Sequence, residues 1–333
     1  MGRGKGSGAG RPPMALKKSG WRPFSWGVRS VNAVEASWFG DDLLEIEGRA
    51  AQSVAAAAAQ AVGLKVFPAV AQHVMRLLED PNITIGDLRG PIEQDASLAS
   101  RLLRVANSVA YSRGRPVNSI DEAVLRLGFD QVRAIVAGIS AFGMFPADGD
   151  VAHQLRAHGA GVAAIIGVLG RTWRGGHVGD LFLSGLLHDL GKLAALQVGE
   201  VAYADLPAKV LSSPDCVHRI ERMRTGYDHA ALGATVLAGW RFDRDVVKTI
   251  AWHHRPGRAY AEGGDIAVAV ALLRLADQID YRLRADPELD EAFLAELAQR
   301  GETSYADISR DVLEALWPKL REAHAEMQAA LIG

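Results

Sequence analysis

Apolar residues recur along most of this chain at spacings of three and four, the mark of helices that bury one face. After Pro68, the residues Val70, Val74, Leu77 and Leu78 make such a stripe, and Asp80-Pro81-Asn82 stops it. Segments 84–93, 97–106, 119–127 and 130–143 read as successive short helices, with Ser119 and Glu122 spaced as a capping box. Further helices are expected near 151–171, 179–190, 229–240, 243–254 and 265–284, and a last pair near 288–299 and 305–331. From Asp41 to Val62 the chain is acidic and then alanine-rich, which also favours helix. No segment between 40 and 145 reads convincingly as a strand. The pattern predicts an all-α chain without internal repeats, and its best internal boundary is the Pro-Ala-Asp-Gly-Asp loop at 146–150.

Composition narrows the function classes. The 333 residues are 49% apolar, ample for one large or two modest cores and too apolar for wholesale disorder. The net charge of −2 excludes a chain-wide polyanion binder, but that charge is unevenly placed. Residues 1–34 carry Arg3, Lys5, Arg11, Lys17, Lys18, Arg22 and Arg29 and no acidic group, leaving 30 basic against 39 acidic residues in the rest. This Gly-, Arg- and Pro-rich stretch reads as a flexible tail. Trp21, Phe24 and Trp26 beside Arg22 offer the alternative of docking on a partner or on nucleic acid, and no other feature points to nucleic acid. No apolar run reaches the roughly 20 residues a bilayer requires, and no apolar segment follows the basic start as in a secretory signal. The single cysteine, Cys216, precludes an internal disulfide. A soluble, cytoplasmic protein without a membrane partner is expected.

Several polar residues stand where the helical pattern calls for apolar ones. His158 falls in the stripe of Val151, Leu155, Val162, Ile165 and Leu169. Asp277 continues the stripe of Ile266, Val270 and Leu273. His188 and Asp189 end a helix that is apolar nearly all round, and His253 and His254 end another whose stripe includes Val246, Val247 and Ile250. His229 begins a helix for which Asp228 is a good N-cap. An ionised carboxylate in a core needs a partner, since leaving it unpaired costs several kcal/mol. Each residue taken alone has an ordinary explanation: a hydrogen-bonded core histidine, an aspartate capping a neighbour, one buried and one exposed member of a His pair. Together they could instead share an ion, and mixed imidazole and carboxylate ligation suits Fe, Mn, Zn or Ni.

The order His158, His188-Asp189, His229, His253-His254, Asp277 resembles the signature of the HD phosphohydrolase superfamily, in the expanded form of two-metal enzymes such as HD-GYP proteins. Upstream, Phe67-Pro68, the stretch Ile92 to Leu98 (IEQDASL), Leu102 to Ser108 (LLRVANS) and Ser119 to Gly128 (SIDEAVLRLG) resemble the N-terminal half of HDOD domains, the HD-related output domains of bacterial signalling proteins. Phe182 to Lys192 (FLSGLLHDLGK) and Asp228 to Ala234 (DHAALGA) are similar to HDOD segments as well. The resemblance covers roughly residues 62–280. It implies an HDOD-type helical bundle, with an N-terminal helical half at 62–148 and an HD-like half at 149–280. Around it would lie a basic tail at 1–34, a helical lead-in at 35–61 and a C-terminal helical extension at 281–333.

In the HD enzymes this sequence resembles, His158, His188, Asp189 and Asp277 would hold one metal, and His229, His253 and His254 a second, with Asp189 bridging. Such ions would activate a water and stabilise charge on a phosphoryl group, and Asp189 and Lys192 are the catalytic candidates. Lys192 would contact phosphate as a point charge, or would simply be a charge near a helix C-terminus. Many HDOD domains have lost the ligands, whereas here every position is occupied. After His253-His254 the chain reads Arg255-Pro256-Gly257-Arg258-Ala259-Tyr260, so the Gly-Tyr-Pro loop of HD-GYP proteins is missing, which argues against cyclic-di-GMP hydrolysis. Arg255 and Arg258 there read as phosphate binders or as a solvated loop.

The expected function is a bacterial regulatory module that binds one or two divalent transition metals and acts through a signalling protein partner. The alternative is a metal-dependent phosphohydrolase acting on a nucleotide or other phosphoester. Asp189→Ala and His229→Ala are expected to lose metal with modest damage to the fold, and His158→Leu to stabilise a metal-free protein. The stripe of Phe293, Leu294, Leu297, Ile308, Val312, Leu316 and Leu320 is expected to pack on the domain. His73, His153, His177, His218 and His324 have no assigned role.

Overall fold

Helices form every extended regular element among the described residues of the computed structural model, which are 48–63, 67–112, 114–145, 149–173, 178–199, 203 and 217–332. In chain order they are α1 (Gly48–Val62), α2 (Ala69–Leu77), α3 (Ile85–Glu93), α4 (Ala96–Asn107), α5 (Ile120–Leu127), α6 (Phe129–Gly143), α7 (Asp150–Leu169), α8 (Val178–Leu187) and α9 (Leu190–Val198). They continue as α10 (Val217–Thr225), α11 (His229–Gly239), α12 (Arg244–Trp252), α13 (Gly257–Glu262), α14 (Gly264–Ala285), α15 (Glu291–Ala298), α16 (Gly301–Ala306) and α17 (Arg310–Ile332). The all-α class follows directly. The basic tail with Trp21, Arg22, Phe24 and Trp26, the acidic start at 41–47, the loop residues 146–148, His177 and Cys216 lie outside the described residues.

Local chemistry sets most helix boundaries. Pro68 is the N-cap residue of α2, as its stripe suggested. Ser119 Oγ accepts from the Glu122 amide at 3.2 Å and starts α5, and Gly128 at φ 80° ends it. The capping box is half formed, because the Glu122 carboxylate reaches the Asn118 amide (3.0 Å) in place of Ser119. The last predicted pair, near 288–299 and 305–331, forms as three helices, α15 to α17, and two helices near the candidate ligands end earlier than expected. The one near 179–190 stops at Leu187, and His188 and Asp189 occupy the turn before α9. The one near 243–254 stops at Trp252, leaving His253 and His254 in the turn beyond.

One hydrophobic core runs through nearly the whole molecule, with α7 at its centre. Residues Ala160 to Leu169 of α7 are buried on every side. Helices α8, α14 and α17 pack along it. Helix α6 packs on α8 and joins the N-terminal group α2–α5, while α1 docks on α9 and α11. The last helix therefore packs on the domain, as expected, with Leu320 inward but with Leu313 and Trp317 in place of Val312 and Leu316. Leu313, Trp317, Leu320, Ala323 and Met327 are buried, and Val312 and Leu316 lie at the margin. Because α17 also meets α4, it spans from the N-terminal group to the centre of the C-terminal one. No helix among the described residues is long and apolar enough to cross a membrane.

Candidate metal centre

Six segments converge on one buried point. Helix α7 brings His158, the α8–α9 turn brings His188 and Asp189, and the first turn of α9 brings Lys192. The start of α11 supplies His229, the turn after α12 supplies His253 and His254, and α14 supplies Asp277. All are buried except the half-buried His254. The approach of α9 to α11 depends on glycine at their crossing. A Cβ on Gly191 would land on the His229 carbonyl oxygen and 2.7 Å from the Gly233 nitrogen. Asp228 caps α11 through the Ala231 amide (2.9 Å) and is itself held by Arg222.

The side chains form two groups that meet at Asp189. In the first, His158 Nε2 lies 3.1 Å from His188 Nε2, 3.2 Å from Asp277 Oδ1 and 3.4 Å from Asp189 Oδ2. In the second, His229 Nε2 lies 3.0 Å from His254 Nε2 and 3.0 Å from Asp189 Oδ1, with the His253 ring beside both. Potential ligand atoms of His158, His188 and Asp277 lie within 4.8 Å of one another, as do those of His229, His253 and His254. The seven residues singled out from the sequence are thus brought together.

The outer partners determine what the inner atoms can be. His158 Nδ1 faces Asp280 Oδ2 at 2.5 Å, His188 Nδ1 faces the Gly185 carbonyl at 2.9 Å, His229 Nδ1 faces Glu221 Oε2 at 2.6 Å, and His253 Nδ1 faces the Ile250 carbonyl at 2.6 Å. Carbonyl and ionised carboxylate oxygens only accept, so each Nδ1 carries the proton and donates. In the neutral imidazoles every Nε2 is then a bare acceptor aimed inward. Asp189 Oδ1, Asp277 Oδ1 and His253 Nε2 are buried without a hydrogen-bond donor. Acceptors crowded this way require positive charge between them, and a divalent cation fits the donor set.

Without an ion, protons must supply that charge. Burial works against the His158 imidazolium, but Asp280 and Asp277 raise its pKa to about 9. Burial likewise opposes the charged form of His229, and Glu221 and Asp189 raise it to about 9. Burial and neighbouring imidazoles push His253 and His254 well below the usual range. Burial would raise the Asp189 carboxyl, yet His188, Lys192 and His229 hold it well below the ordinary value.

Lys192 Nζ donates to Asp189 Oδ2 at 2.7 Å. It stands in the first turn of α9, so the alternative of a charge at a helix C-terminus does not apply. Beside it is a cleft of about 40 Å³, walled by Leu155, Tyr203, Tyr281 and Arg284. The segment at Arg255–Tyr260 is a turn followed by α13, not an open loop, and Tyr260 stacks on Tyr305 at 3.9 Å.

Five residues at the centre were not anticipated. Glu221 takes both the His229 amide (2.8 Å) and its ring, and Tyr203 donates to its other oxygen at 2.8 Å. His218 stacks on His254 with centroids 4.3 Å apart. Asp280 anchors His158, and His324 of α17 bonds Asp280 at 2.9 Å. His218 and His324 therefore belong to the centre's surroundings, although neither had an assigned role. His73 and His153 are exposed.

Comparison with known proteins agrees with this architecture. A Treponema pallidum protein of uncharacterised function is 24% identical over 237 residues, 70% of this chain but only 45% of its own length. The crystal structure of a candidate phosphohydrolase from Shewanella amazonensis SB2B superposes with a TM-score of 0.65 at 26% identity, covering 83% of this chain and 98% of that one. A candidate signal-transduction protein from Marinobacter aquaeolei VT8 superposes with a TM-score of 0.56 at 22% identity, covering 92% of this chain and 67% of that one. The HDOD domain family matches residues 64–256, a stretch that contains every candidate ligand except Asp277. With more than half its length matched and the helical architecture in agreement, the chain belongs to the HDOD domain family.

Proposed function

We propose that this chain is a regulatory HDOD module that binds divalent transition metal in its C-terminal half and acts through contacts with a signalling protein. The observation that carries metal binding is the set of buried acceptors without donors, Asp189 Oδ1, Asp277 Oδ1 and His253 Nε2. His158, His188 and Asp277 would hold one ion and His229, His253 and His254 another, with one oxygen of Asp189 facing each group. Imidazole and carboxylate donors favour Fe, Mn, Zn or Ni over Mg or Ca. The size of the cleft supports regulation over nucleotide hydrolysis. At about 40 Å³ it has room for a few waters or a small anion, whereas ligand pockets run to roughly 300–1,000 Å³.

A second reading is a metal-dependent phosphohydrolase, favoured by Lys192 at the edge of the cleft and by the likeness to the Shewanella amazonensis protein. A bound divalent ion would supply an activated nucleophile near neutral pH and offset charge on a phosphoryl oxygen. Asp189 would orient the two histidine groups, and Lys192 would hold a phosphoryl oxygen while staying anchored to Asp189.

Elemental analysis of protein purified without chelators tests the shared premise. One or two transition-metal ions per chain are expected, and none after reconstitution with Fe, Mn or Zn would overturn metal binding and with it the hydrolase reading. A phosphoester panel comparing wild type with Asp189→Ala then separates them. Equal background rates support the regulatory module, and Asp189-dependent turnover overturns it in favour of the hydrolase.

A further inference from the structure

Asp280 stands one turn beyond Asp277 on α14 and is completely buried. Its carboxylate is held by three donors: His158 Nδ1 at 2.5 Å, Arg284 Nε at 2.7 Å and His324 Nε2 at 2.9 Å. The first of these bonds fixes the tautomer and ring orientation of a candidate ligand. The last comes from α17, a helix that contributes no candidate ligand. Helix α7 makes room for this pair by omitting a side chain. A Cβ on Gly161 would land on Asp280 Oδ1 and lie 2.7 Å from His324 Cδ2.

Close by, the C-terminal end of α17 is tied to the N-terminal group. Arg104 Nε donates to the Ala330 carbonyl at 2.7 Å, and the Glu326 carboxylate accepts from the Val109 amide. Without His324, Asp280 Oδ1 becomes a buried acceptor with no donor, and the carboxylate loses one of the bonds that hold it against His158. Anything that fixes His158 in its ligating orientation strengthens metal binding. By linkage, metal binding must then strengthen the docking of α17 by the same factor.

Resting on the metal-binding reading above, we propose that His324 is a positioning residue for the metal centre, acting through Asp280 on His158, so that the occupied centre and the docked last helix stabilise each other. The test uses the full chain freed of metal by chelation and titrated calorimetrically with Mn²⁺ or Zn²⁺. Asp280→Asn should weaken binding by about 10–100-fold and His324→Ala by about tenfold, in the range found for outer-shell partners of metal ligands. His324→Gln, whose amide nitrogen replaces Nε2 as donor to Asp280, should restore most of that loss. His153→Ala, an exposed histidine on α7, should change nothing.

Hydrogen exchange supplies a readout that needs no variant. Amides across Arg310–Ile332 should exchange more slowly once wild type takes up metal. The proposal is overturned if exchange in that helix ignores metal, or if His324→Ala binds metal as wild type does while Asp280→Asn does not. In either case the metal-binding reading survives. If wild type takes up no metal at all, that reading fails and this inference falls with it.

Discussion

The crossing of α9 and α11 offers a sharp test, because one added carbon there acts on stability and on the metal centre together. In Gly191→Ala the new Cβ would overlap the His229 carbonyl and sit 2.7 Å from the Gly233 nitrogen, where ordinary contacts begin at 3.4 Å. Neither obstacle is a flexible side chain, so even the milder overlap forces the two backbones apart by about 0.7 Å. Overpacking of this kind costs about 1–3 kcal/mol, offset by up to about 1 kcal/mol of helix propensity gained over glycine. The net expectation is a loss of about 1–2 kcal/mol in urea unfolding of metal-free protein. The same displacement separates Asp189 from His229, now 3.0 Å apart, by more than the roughly 0.2 Å that metal–ligand distances tolerate. Metal stoichiometry should fall in the same sample. Gly239→Ala is the control, since a Cβ there meets open space at the far end of α11 and should stabilise by about 0.4–1 kcal/mol. If Gly191→Ala unfolds at the wild-type urea concentration and keeps its metal, the close backbone crossing is wrong.

Other variants test the polar framework. Asp189→Ala should abolish metal binding, and the expected modest damage to the fold is revised upward. It strands the buried Lys192 ammonium, an uncompensated charge costing about 3–5 kcal/mol, so adding Lys192→Met should recover most of the unfolding free energy. His158→Leu, expected from sequence to stabilise the metal-free protein, should instead destabilise it by about 1–3 kcal/mol in urea unfolding. His158 is not an unpaired polar group but a donor to the buried Asp280. Asp228→Ala removes the α11 cap and a partner of Arg222, and thermal unfolding should register a loss of about 1 kcal/mol.

Helices with a clean apolar stripe were legible from sequence, because a spacing of three and four needs only local burial to persist. Helix α10 was not. It buries His218 and Glu221 and leaves Met223 79% exposed, since its inner face meets the imidazoles of the candidate metal centre rather than hydrocarbon. The reasoning that found His158, a polar residue inside an apolar stripe, also applies to Asp280 and to His324 between Leu320 and Met327. Glu221 gave no such signal, because its helix has no stripe from which to depart. Pairing was beyond reach in every case. A stripe tells that a side chain faces inward but not what it meets, and His158 and Asp280 are 122 residues apart. Those pairings carry the chemical argument. Inward histidines alone could be an ordinary hydrogen-bonded cluster, each donating to the next. Here Asp280, Glu221 and two main-chain carbonyls draw the Nδ1 protons outward, and in the neutral imidazoles that leaves bare acceptors facing one another at the centre, to be filled by further protons or by an ion. What separates a metal centre from a histidine-rich core is therefore the outer set of acceptors.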